Sequence, residues 1–109
     1  MSKRLQDTAR ETVRDLQMVL PCAYPVKLGK PFTRGDDIAD TEFTGKSYII
    51  RVRERITMEE ALASVVRDAI MHEYAHARVW GRLQAMTGDH DGHWGMEYAR
   101  VYRELLGVA

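Results

Sequence analysis

The chain is poor in cysteine: one thiol, Cys22, in 109 residues. A lone thiol cannot form an internal disulfide, which excludes a disulfide-stapled secreted scaffold. Nothing beside it suggests an activated nucleophile, so Cys22 reads as a small buried apolar residue. Net charge is also missing, because 16 basic and 16 acidic residues cancel. That removes any long-range pull toward nucleic acid or an anionic membrane, and direct nucleic-acid binding is not expected. Long apolar runs are absent too. No stretch approaches the roughly 18 apolar residues of a membrane span. Residues 1–20 mix both charge signs where a signal peptide needs an apolar centre. These absences together predict a soluble cytoplasmic protein with no membrane partner.

What is present fits one ordinary globular domain over residues 1–109. Hydrophobic content is 45% and charged content 29%, a balance that argues against disorder. Residues 3–20 carry Leu5, Ala9, Val13, Leu16 and Leu20 at helical spacing, and Pro21 ends the helix. Residues 23–28, "AYPVKL", suggest a short strand, with Pro25 placing it at an edge or confining pairing to Val26–Leu28. The segment "GKPFTRGDDIADTEFTGK" reads as a solvated acidic loop, since its acids lack the spacing of a calcium loop. "SYIIRVRER" is the clearest strand, alternating Tyr48, Ile50 and Val52 with Ile49, Arg51 and Arg53. Thr57 and Glu60 form a capping box for a helix from about Met58 to Met86, bent or weakened near Gly81 and stopped by Gly88. "WGMEYARVYRELLG" gives a last helix with Trp94, Tyr98, Val101, Tyr102 and Leu105 on one face. The order is N-terminal helix, short β-strands, long helix, turn, C-terminal helix: a small α+β domain, mostly helical.

The chemistry concentrates in the long helix. His72 and His76, in "HEYAH", are four apart and share one face. They can aim imidazole nitrogens at one point, as zinc requires, with ligand distances of about 2.0–2.1 Å. Glu73 lies about 100° around the helix from His72. It is badly placed to be a ligand but well placed to take a proton from a water that the metal activates. This is the HExxH pattern of zinc peptidases. All four histidines fall within residues 72–93. The turn after the helix must return a third donor, and spacing alone leaves His90, His93 and Glu97 open. Otherwise Glu97 reads as a solvated helix residue. Tyr98 and Tyr102 read as core aromatics with a wet tip, or as hydroxyls that could stabilise an oxyanion.

These motifs resemble a minimal SprT-like (Spartan-type) zinc metallopeptidase domain. In that family HExxH is followed by roughly a dozen residues, then by a His-Gly-x-x-Trp/Phe segment opening a further helix. Here "HEYAHARVW" resembles the first part and "HDGHWGMEYARVY" the second, with His90 and Trp94 in the family positions. The resemblance implies a zincin-like fold, Zn2+ held by His72, His76 and His90, and Glu73 as the base. It implies a protein or peptide substrate, and allows DNA-associated ones. Asp91 departs from the pattern by replacing the glycine after the third histidine. A competing register uses His93; the His90 register is preferred because it sets Trp94 four residues on, beneath the site, with His93 more exposed. The specific motifs cover only residues 72–98.

Three functions compete at this stage. The first is a zinc metalloendopeptidase acting on an intracellular protein. Zinc would polarise the peptide carbonyl, Glu73 would pass a proton to the leaving amine, and "SYIIRVR" could pair with an extended peptide. Arg51 and Arg53 would then be substrate contacts or plain edge charges. The second is a catalytically inactive, zinc-stabilised interaction module. The third is a small helical interaction protein without metal.

Overall fold

The computed structural model describes residues 2–33, 37–57, 62–83 and 90–107. Helix α1 spans Lys3–Val19. Its apolar residues recur every three or four positions, so Leu5, Ala9, Val13 and Leu16 form one buried stripe. Ser2 caps the helix by accepting from Leu5 N. After Leu20 the chain meets Pro21, which cannot continue the helical ladder.

Three strands follow: β1 (Val26–Leu28), β2 (Ala39–Phe43) and β3 (Tyr48–Val52). They form one sheet in the order β1-β3-β2. β1 runs parallel to β3 with Val26 opposite Tyr48. β2 runs antiparallel to it with Ala39 opposite Val52. The Gln17 side chain accepts from Val26 N at 2.8 Å, tying β1 to α1. Tyr48, Ile50 and Val52 point into the core, as their alternation requires.

Two expectations are corrected here. Residues 39–43 lie in the segment read as a loop, yet they form β2. "ADTEF" has a single strong apolar residue, Phe43, so its period-2 signal is faint. The pairing is completed by long-range partners: Arg51 reaches Glu42 at 2.9 Å and Asp40 at 3.9 Å across the outer face. Asp40 and Glu42 are exposed, as expected, but on a strand; Asp37 is exposed just before it, and Asp36 lies outside the described residues. As a result β3 is the central strand with a neighbour on each side. It cannot accept a further strand, and Arg51 is not an edge charge. The outer edge on this side of the sheet belongs to β2.

A 3-10 turn covers Glu54–Thr57, and α2 spans Ala63–Leu83. The helix therefore starts later than Met58: Leu62 is outside it and accepts from Val65 N and Val66 N with its carbonyl. Gly81 lies within α2. Glu60 of the capping box, Met86 and Gly88 fall outside the described residues. Val66, Ile70, Met71, Tyr74 and Ala77 pack in one core with the α1 stripe and the inner face of the sheet. α3 spans Gly92–Leu106, capped by Asp91 and ended by Gly107 in the left-handed region at φ 66°. The architecture is a small, mostly helical α+β domain. Among the described residues no helix is long and apolar enough to cross a membrane.

α3 turns a different face inward than its aromatics suggest. Val101 and Glu97 are buried, whereas Tyr102 is 41% exposed. Glu97, expected to be solvated, is 1% exposed. Its Oε2 accepts from Arg78 Nε at 3.1 Å, and Arg78 Nη1 also donates to the Pro21 carbonyl. One guanidinium thus joins α2, α3 and the turn after α1. Removing one member strands the other charge in the interior. Glu97→Ala is expected to lower stability by about 3–5 kcal/mol, read from denaturant midpoints, with Glu97→Gln costing less.

Cys22 packs against the same core but is only half-buried, not fully buried as the sequence suggests. Burial pushes its thiol up to about 11, partly offset by a hydrogen bond with Tyr74 and the charge of Arg78. Thiolate is the reactive form. At pH 8 iodoacetamide should therefore label the native protein roughly a hundredfold more slowly than a free cysteine, and at the ordinary rate once the protein is unfolded.

Candidate metal centre

On α2 the buried residues Met71, Glu73, Tyr74, Ala75 and Ala77 leave a strip where His72 and His76 are only half-buried. The i, i+4 spacing stacks the two rings on that strip, with centroids 5.2 Å apart. His90 reaches the same strip from the turn before α3. Its backbone lies in the left-handed region, φ 59°, which histidine adopts more readily than most residues. Its ring centroid is 4.5 Å from His72 and 5.2 Å from His76. One ligand nitrogen from each of the three falls within 4.8 Å of the others. The three histidines therefore lie close enough to hold one metal ion.

Neither alternative third donor joins them. His93 is exposed on α3. Glu97 is in the core with Arg78. Trp94 lies beneath the cluster. Its ring stacks against His90 at 4.5 Å and His72 at 4.9 Å, and its Nε1 donates to the His72 carbonyl at 3.3 Å. Asp91, the departure from the family pattern, acts as the α3 cap: its Oδ1 accepts from Trp94 N at 3.1 Å. That bond fixes Trp94 directly after the turn that carries His90. A side chain built on Gly92 would meet open space, so a glycine is not sterically needed there.

His72 Nε2 and His90 Nε2 stand 2.7 Å apart, at hydrogen-bonding distance, with the donor set by the ring tautomer. Three imidazoles are a donor set that suits zinc, with room left for one more ligand.

Glu73 is buried at 7% exposure, and its two carboxylate oxygens have different surroundings. Oε1 accepts from Thr41 Oγ1 at 2.7 Å; Oε2 lies 3.9 Å from His72 Nε2. The same hydroxyl reaches the Glu73 carbonyl at 3.1 Å. Thr41 thus anchors the carboxylate to β2, a role hidden in sequence because residue 41 sat in an apparent loop. The only signal was the alternation of Ala39, Thr41 and Phe43 with Asp40 and Glu42.

A cleft of about 640 Å³ between the start of β2 and the first half of α2 opens onto His72 and Glu73. A smaller pocket of about 300 Å³ lies beyond His76, lined by Phe43, Tyr48 and Trp80. Tyr98 stacks on Trp94 at 4.9 Å and donates its hydroxyl to Asp68. Burial, then that bond, pushes its hydroxyl above the usual phenol range, so it stays a donor at neutral pH. Compared with known proteins, the chain matches no family model, no curated protein and no solved structure.

The geometry separates the three possible third donors in metal-binding terms. His90→Ala should abolish uptake of about one zinc equivalent per chain, whereas His93→Ala should leave it intact. Elemental mass spectrometry after reconstitution and desalting checks both. Loss of zinc from the His93 variant alone would overturn the assignment.

Proposed function

We propose that this domain is a zinc-dependent endopeptidase related to the SprT-like metallopeptidases, acting on an intracellular protein substrate. The observation that carries the reading is the pairing of a three-histidine cluster with a buried, anchored glutamate. Glu73 and one of the three histidines, His72, line a cleft that begins at the first residue of the edge strand β2.

His72, His76 and His90 would hold the ion. Bound zinc supplies a Lewis acid that polarises a carbonyl and acidifies water. The chain's own residues account for the rest. Thr41 fixes Glu73 Oε1, which leaves Oε2 on the side of His72. Oε2 is the atom placed to receive the proton from the attacking water and to return it to the leaving amine. The edge of β2 offers backbone N–H and C=O groups to an extended peptide. A peptide paired there would lie beside Thr41 and so close to Glu73. Trp94 packs against all three rings. The cytoplasmic setting rests on the single, unpaired cysteine.

The test is Glu73→Gln in the zinc-loaded protein, assayed on unfolded protein substrates. Zinc content should be unchanged, while cleavage should fall by about 10²-fold or more. Undiminished cleavage by that variant would rule the mechanism out. Zinc binding without cleavage in the parent protein would favour the inactive, zinc-stabilised interaction module. Bound zinc in either case should raise the melting temperature, and a strong chelator should reverse it.

A further inference from the structure

Two clefts flank the histidine cluster along β2, and their chemistry differs. Toward Phe43 the pocket is aromatic. Toward Ala39 the larger cleft combines apolar walls with carboxylates. Ile38 and Val65 line it and are 53% and 44% exposed, unusual for such side chains. Asp37 and Asp68 line it as well, and Glu73 lies at its inner end. No lysine or arginine is among its described lining residues.

Among the described residues, Arg67 adjoins Asp68 but lines a separate pocket with it, and two other nearby cations are engaged elsewhere. Arg51 faces Asp40 and Glu42 on the outer side of the sheet. Arg53 donates to the backbone carbonyl of Asp37 at 2.8 Å and lies over the Phe32 ring. Tyr98 engages only Oδ1 of Asp68. Asp68 sits one helical turn before His72, on the same face of α2.

An acidic side chain entering this cleft would be repelled, and an apolar one would leave the carboxylates unmatched. A lysine or arginine satisfies both parts. Its methylene stem can lie along Ile38 and Val65 while its head reaches Asp37 and Asp68. We infer that this cleft is the subsite for a basic side chain of an extended peptide, adjoining the cleaved bond. Its place in cleavage rests on the peptidase reading above. Its selectivity in binding does not.

The experiment uses the zinc-loaded Glu73→Gln protein, so that binding is read without turnover. Short fluorescein-labelled alanine–threonine peptides carry a single lysine, norleucine or glutamate walked through the sequence. Anisotropy should show lysine at one position binding about tenfold tighter than norleucine, with glutamate weaker still. Asp37→Asn with Asp68→Asn should erase the difference, and Asp37→Lys alone should reduce it without touching the bond to Tyr98. Equal binding of the three peptide series, binding of none, or a lysine preference that survives the double variant would overturn the proposal. Cleavage by the unmodified protein is followed in parallel. Lysine-selective binding with no cleavage would defeat the peptidase reading and keep the subsite; cleavage with no lysine preference would do the reverse.

Discussion

The hydrogen bond from Thr41 to Glu73 holds the candidate site together. It joins the edge strand to the central helix at the residue where the chemistry would occur. A buried carboxylate without partners would be costly to keep ionised. Here one oxygen is satisfied by a hydroxyl whose position is set by the β2–β3 ladder, and the other is left beside His72. Strand register, helix rotation and the orientation of one side chain are thereby linked. A shift of β2 by one residue would turn Thr41 outward and bring Asp40 or Glu42 against Glu73, a repulsive exchange.

α2 explains why the histidines are usable at all. The helix is packed by α1, by the sheet and by α3, and its buried residues occupy most of its circumference. The strip that stays partly open carries His72 and His76, and the turn before α3 folds His90 over it. The Arg78–Glu97 pair then fixes α3 from within the core, while Asp91 and Trp94 fix its start. The third histidine is therefore placed by contacts that do not depend on a metal.

Much of this was legible in the chain itself. The α1 stripe and the Tyr48–Val52 alternation follow from periodicity, the Val26–Leu28 pairing from Pro25, and the long helix carrying HExxH from its start and stop signals. These segments carry strong apolar signals. The parts that escaped reading depend on partners distant in sequence. β2 has too few apolar residues to announce itself and exists because β3 pairs with it. Glu97 looks like any surface glutamate until Arg78 arrives from α2. Leu62 cannot be recognised as the point where α2 begins, because its role is played by a backbone carbonyl. For the third donor, spacing gave three candidates; choosing among them needed either the family pattern or the left-handed turn at His90.

The order β1-β3-β2 has a consequence for how copies of this protein treat one another. A sheet that ends in an unmatched strand invites a second molecule to zip onto it, the first step of ordered aggregation. β2 is five residues long and carries Asp40 and Glu42 among them. Two such strands brought edge to edge would set acid against acid, which disfavours self-pairing. Among the described residues no strand pairs with the outer edge of β2, and its acidity would disfavour a second copy filling that edge.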